Sequence, residues 1–247
     1  MRFAGFARDL IDFCYPRLCV VCEGEVLENA FCGRCATRIQ ALADAPACGR
    51  CAMPLAEVDS PCPYCFGEGL KPYDRIARLC VYVDPVKELI HRIKYHRLWN
   101  ITEMLASYLL RQRGLAAIVA QSEVIVPVPL HPLRQISRGF NQAEVLARHL
   151  AKATGNLKVV FPAVRLKHTE TQTHLTKSSR VENLRDAFGL VSEKAIKGKR
   201  VLVVDDVLTT GATLQSLART LKPAGFESIN AITIAIADPK NRGFQAV

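Results

Sequence analysis

No stretch of this 247-residue chain reaches the roughly 18 uninterrupted apolar residues of a membrane-spanning helix. Aromatic residues are scarce, at 7% with a single Trp, so a long row of stacking platforms is not available. The apolar residues near the N-terminus are broken by Arg8, Asp9 and Asp12 before a continuous run forms, so no export signal is expected. Phe3, Phe6, Leu10 and Phe13 recur instead at near-helical spacing. They predict a short helix packed on its own protein, with a membrane-surface anchor as the alternative. The expected location is the cytoplasm, with peripheral attachment at the inner face of the membrane as that same alternative.

Acidic residues are few beside basic ones, and unevenly so. The formal net charge is +10, yet residues 1–73 hold seven Lys/Arg against nine Asp/Glu, leaving 26 against 14 for residues 74–247. The positive charge belongs to the C-terminal part, and an anionic partner is expected there. Nearly half of that excess falls in residues 165–200, where nine Lys/Arg face four Asp/Glu. A hydrophobic content of 49% suffices for a large core in that part.

Cysteine is abundant. Eight of the ten form four C-x-x-C pairs, Cys19/Cys22, Cys32/Cys35, Cys48/Cys51 and Cys62/Cys65, separated by nine, twelve and ten residues. In a chain with no export signal the thiols are expected reduced, and four such pairs in tandem predict two sites of four thiolates each. Two residues between thiolates let one turn aim both sulfurs at one ion, and Gly33 and Gly49 ease two of those turns. Zinc is the expected metal, with an iron–sulfur centre the competitor. Serial pairing, first with second and third with fourth, is favoured by the two shorter intervals; cross-bracing uses the same ligands. With no open coordination position the sites are structural, and metal binding supplies folding energy that so short a segment lacks. Cys80, in the apolar run Ile76–Val83, reads as a small buried hydrophobe. Pro61, Pro63, Gly67, Gly69 and Pro72 close this unit, giving a zinc-ribbon domain over 1–70 and a second domain over 74–247.

From residue 74 strands and helices alternate. Strands are predicted at Arg75–Val83, Val124–Val128, Leu157–Phe161, Val201–Val204 and Ile229–Ile236. Helices are predicted at Val86–Tyr95, Asn100–Val119, Gln142–Thr154 and from Gly211. Val/Ile-rich strands between helices indicate an α/β domain whose parallel sheet is covered on both faces. One such strand ends in Asp205 and Asp206 and runs through Thr209, Thr210, Gly211, Ala212 and Thr213 into a helix. Free amides, the helix dipole and threonine hydroxyls suit a phosphate, and Gly211 permits close approach of the backbone. Carboxylates just upstream suit the vicinal diol of a sugar. Together they describe a ribose 5-phosphate site.

This segment resembles the signature of type I phosphoribosyltransferases, which bind 5-phosphoribosyl-1-pyrophosphate (PRPP) with Mg²⁺. The resemblance implies that fold, with Asp205 and Asp206 on the ribose hydroxyls and Thr209 to Thr213 around the 5′-phosphate. Val126-Pro127-Val128-Pro129-Leu130-His131, Arg138-Gly139-Phe140-Asn141-Gln142, and Thr171-Gln172-Thr173-His174-Leu175 with Arg180, Asn183 and Phe188 narrow it. With the paired cysteines they resemble the ComF competence-protein family, also described as amidophosphoribosyltransferase-like or DNA-utilisation proteins. By that resemblance the region Pro129–Asn141 binds pyrophosphate through Arg134 and Arg138, and a lid lies over Arg165–Asp186. Lys177, Arg180, Arg185, His131, His168 and His174 are further candidates for anion contact. No segment identifies a base-binding hood, and no glutaminase domain is present to support a glutamine-using reaction.

Two functions follow from the resemblance. One is a protein of DNA uptake or utilisation that handles single-stranded DNA in the cytoplasm with other uptake proteins and uses the PRPP-like pocket for binding or regulation. The alternative is an active phosphoribosyltransferase with a nitrogen acceptor that the sequence does not identify.

Overall fold

The computed structural model describes residues 17–26, 30–58, 60–96, 98–167 and 187–238. Its centre is a five-stranded parallel sheet of order β1-β7-β6-β2-β3. The strands are β1 (Arg75–Val81), β2 (Val124–Pro127), β3 (Lys158–Val159), β6 (Arg200–Leu208) and β7 (Ser228–Ile236). A separate antiparallel pair, β4 (Ala163–Arg165) and β5 (Phe188–Leu190), brackets residues 168–186. The lid expected over Arg165–Asp186 falls almost wholly in that interval, outside the described residues, as do the N-terminal helix residues Phe3 to Phe13 and Cys14.

Alternation along the strands divides the core into two layers. Leu202, Val204, Ile232 and Ile234 face α2 (Val86–His96), α3 (Trp99–Arg111), α4 (Arg113–Ala120) and α6 (Gln142–Thr154). Val201, Val203, Ile229 and Ala231 face α7 (Ala212–Leu221) and the β4–β5 pair. The zinc-ribbon segment divides the same way. Cys19, Cys35, Ile39 and Leu42 join the first layer, whereas Cys48, Cys51, Met53, Leu55 and Cys62 join the second.

The sequence predicts one helix over Asn100–Val119, and the chain forms two. Gln112 is extended (φ −78°, ψ 109°), ending α3 and beginning α4 at once. The break lies two residues before Gly114, a weak helix former, and turns Leu115, Ile118 and Val119 into the core. Lys158–Val159 is shorter than the predicted strand, because it pairs on one side only, with β2. Among the described residues, β4 and β5 escape the periodicity, and so do two helices. One is α1 (Gly33–Asp44), between the second and third cysteine pairs; the other is α5 (Pro132–Arg138), one short helix after β2. Helix α5 opens on Pro132 with His131 as its N-cap, the His131 Nδ1 accepting from Leu133 N at 3.3 Å, and stops at Gly139 (φ 80°).

Between the two ribbons the chain crosses the open edge of β1, and a buried arginine stitches it down. Arg78, 7% exposed, donates from Nε to Ala52 O at 3.0 Å and from Nη1 to Leu42 O at 3.2 Å. Its Nη2 donates to Ala45 O at 2.9 Å and Pro46 O at 3.3 Å. Leu42 lies in the last turn of α1, so a cation there also meets the negative end of the helix dipole. Burial lowers the Arg78 pKa to about 10, which leaves the guanidinium charged at neutral pH.

Candidate functional site

The C-terminal ends of β2, β6 and β7 make the site, as expected where ligands bind in open α/β sheets. Asp205 and Asp206 fall in the last turns of the β6 ladder, Asp205 opposite Thr233 of β7. Asp205 Oδ1 accepts from Asp206 N at 2.8 Å. Burial first, and then the charge of Asp206, push the Asp205 carboxyl up to about 8. Asp206 is held differently: Lys94 Nζ of α2 lies 2.8 Å from its Oδ2. The two neighbouring carboxyls thus differ, one disposed to keep a proton and one paired with a cation.

The loop after β6 has the form a phosphate needs. Gly211 is left-handed (φ 79°) and N-caps α7, whose first helical bond is Gln215 N to Gly211 O at 2.9 Å. The amides of its first turn have no acceptor within the helix. Thr210 Oγ1 accepts weakly from Ala212 N at 3.4 Å. The left-handed backbone calls for glycine here, and a Cβ on Gly211 would lie 2.7 Å from Leu70 Cδ2.

Arginines flank this centre. Arg165 at the end of β4 stacks its guanidinium 5.5 Å from the Phe188 ring centroid. Burial, and then the neighbouring Arg134, lower its pKa, while Asp205 opposes that shift. Arg134, Arg165 and Asp205 therefore share one electrostatic neighbourhood. Arg138 stands elsewhere: its guanidinium is 5.7 Å from the Tyr95 ring centroid and donates to Gln142 Oε1 at 3.5 Å. His131 serves as the cap of α5. Lys177, Arg180, Arg185, His168 and His174 lie outside the described residues.

Sequence reasoning missed Lys94, Arg165 and Tyr73. Tyr73 donates its hydroxyl to Leu214 O at 2.8 Å, and burial together with the Asp205 charge raises its phenol well above the ordinary range. Lys94 looks like any polar position on an amphipathic helix. Arg165 gave a usable signal, a charge following the apolar pair Ala163-Val164 at a strand end.

The cysteines form two groups, Cys19/Cys22/Cys32/Cys35 and Cys48/Cys51/Cys62/Cys65, with the sulfurs of each group within 4.8 Å of one another. This is the serial pairing. Sulfur separations of 3.6 Å (Cys22–Cys32), 3.7 Å (Cys48–Cys65) and 3.6 Å (Cys51–Cys62) match the spacing of about 3.8 Å set by tetrahedral Zn–S bonds of about 2.3 Å. The two groups fit structural zinc. The left-handed backbone falls outside the glycine positions singled out in the sequence: Glu23, Ala52 and Phe66, each following the second cysteine of its pair, have φ of 58°, 61° and 50°. The second pair instead opens α1, with Cys32 as N-cap.

Two family models match the chain. The family model described as a phosphoribosyl transferase domain matches residues 136–245, and that described as a double zinc ribbon domain matches residues 10–66. Fold and site define the class, a phosphoribosyltransferase-type α/β domain joined to a double zinc ribbon. Competence protein F of Haemophilus influenzae is 32% identical over 225 residues, 89% of this chain and 96% of that protein. The chain belongs to the competence protein F (ComF) family. DNA utilization protein YhgH of Escherichia coli K12 is 30% identical over 223 residues, 87% of this chain and 94% of its own length. Competence protein ComFC of Bacillus subtilis is 35% identical over 102 residues, 41% of this chain and 39% of that protein. Among the described residues no helix is long and apolar enough to cross a membrane.

Proposed function

We propose that this protein binds PRPP, or another ribose 5-phosphate compound, at the end of β6, and that it handles single-stranded DNA during DNA uptake or utilisation. One observation carries the first part: an acidic pair at the end of a strand stands five residues before a left-handed glycine and the open amides of a helix N-terminus. In this reading Asp205 and Asp206 accept hydrogen bonds from the ribose hydroxyls, and residues 209–213 hold the 5′-phosphate. Mg²⁺ accompanies the diphosphate. Arg134 and Arg165 receive that diphosphate, since two mutually repelling cations gain most from an anion between them. Arg138 joins them only by leaving the Tyr95 ring. The DNA role rests on the names of the relatives and on the positive charge of the α/β part.

A second reading, an active phosphoribosyltransferase, is favoured by this same arginine pair, which would neutralise diphosphate as it leaves C1. A thermal-shift titration separates the parts. PRPP with Mg²⁺ is expected to raise the Tm of zinc-loaded protein, and Asp205→Asn with Asp206→Asn to abolish the rise. Single-stranded DNA is expected to bind with a steep salt dependence that survives the double change. No shift at millimolar PRPP defeats the donor-site reading, and salt-independent or absent DNA binding defeats the DNA role.

A further inference from the structure

We propose that the second zinc ribbon is the missing hood: Tyr64 and Leu70, with Asp238, wall the side of the ribose site that receives a planar nitrogen heterocycle. This rests on the donor-site reading above.

Strand order sets the geometry. The acidic pair sits on β6, between β2 on one side and β7 on the other. Arg134 belongs to α5, which follows β2, so a diphosphate held there lies on the β2 side of the ribose. Displacement at C1 is in line, so the incoming nitrogen approaches from the opposite, β7 side. As it forms its bond to C1, the C1–O bond breaks and that electron pair departs on the diphosphate. The nitrogen's proton passes to a carboxylate.

The second ribbon lies on that β7 side. The Tyr64 hydroxyl donates to Asp238 Oδ1, two residues beyond the end of β7. Leu70 fills the space that a side chain on Gly211 would take, placing an apolar group directly against the phosphate loop. Tyr73 fixes the next turn of α7 through Leu214 O. Beyond Tyr64, Phe66 is 83% exposed on a left-handed backbone (φ 50°) set by the metal knuckle. Rings and an aliphatic side chain suit the faces of a heterocycle, and a carboxylate suits its N–H edge. Cys62 and Cys65 flank Tyr64, so the metal of this ribbon positions the wall.

The test uses the full zinc-loaded chain and calorimetric titration with ribose 5-phosphate and with AMP, GMP, CMP and UMP. These nucleotides share the sugar phosphate and differ only on the acceptor side. At least one is expected to bind roughly tenfold more tightly than ribose 5-phosphate, the gain of one stacked, hydrogen-bonded ring. That ratio is expected to fall towards one in Tyr64→Ala and in Asp238→Asn, each still holding both zinc ions. If no nucleotide exceeds ribose 5-phosphate, or if the ratio is unchanged in both variants, the second ribbon is not the hood. Failure of ribose 5-phosphate itself to bind the native protein is a separate result and defeats the donor site beneath it.

Discussion

The two zinc ribbons use the same four-thiolate set and sit on opposite faces of one sheet, but their surroundings differ. In the first, Cys22 is exposed and Cys32 half-buried, and the ribbon reaches the α/β body through apolar packing and an ion pair. That pair, Arg92 Nη1 to Glu23 Oε1 at 2.9 Å, joins the knuckle to α2, the helix that carries Lys94. In the second, Cys48, Cys51 and Cys62 are all buried, and the segment after them touches the loop at Gly211 through Leu70. A ligand motif fixes what metal is held; the packing around it decides what the metal serves.

Breaking one ribbon at a time gives the largest expected contrast. Cys62→Ser with Cys65→Ser is expected to halve the zinc content and remove most protection by PRPP, because the wall beside Gly211 loses its staple. Cys22→Ser with Cys32→Ser is expected to halve the zinc content while keeping that protection. A chelator is expected to release zinc from native protein in two phases, and the variant of the first ribbon to lack the fast one. Equal loss of protection in both variants would erase the distinction.

Next in size is the stitch between the ribbons. Arg78→Ala leaves Leu42, Ala45, Pro46 and Ala52 carbonyls without their buried donor. The expected cost is on the order of 3–5 kcal/mol by urea denaturation, with Arg78→Lys intermediate because an ammonium lacks the planar fork. A change below about 1 kcal/mol would show that the ribbons are held without it.

The acidic pair itself sets a pH dependence. The folded-state pKa of Asp205 is raised, to about 8, above the ordinary carboxylate value. Its ionisation therefore opposes folding. Stability from this group is complete below about pH 4 and declines as pH rises through 8. Asp205→Asn removes that decline, so the variant is expected to match native protein near pH 5 and to exceed it in Tm at pH 8. A native protein that gains stability relative to the variant over this window would reverse the assignment.

Legibility in the sequence followed locality. The cysteine groups and the strand, loop and helix start from Val201 to Thr213 were readable because each comes from one short stretch with its own pattern. The parallel sheet was readable from the Val/Ile runs, and α6 matched its predicted bounds, with Asn141 capping one end and Gly155 (φ 73°) the other. Lys94, Tyr73 and Arg78 were not readable, and Arg165 only as a charge at a strand end. Each meets its partner through the topology of the sheet, across dozens of intervening residues, and none belongs to a periodic or spaced pattern. The contacts of Tyr64 with Asp238 and of Leu70 with Gly211 escape the sequence for the same reason, since they join a ribbon to the α/β domain.

A crystal structure of the zinc-loaded protein with ribose 5-phosphate tests the central claim most directly. Phosphate oxygens are expected on the amides of residues 210–213, and the 2′- and 3′-hydroxyls on Asp205 and Asp206. Phosphate held elsewhere, by Arg134 and Arg165 for instance, with Lys94 still on an unliganded Asp206, would contradict it.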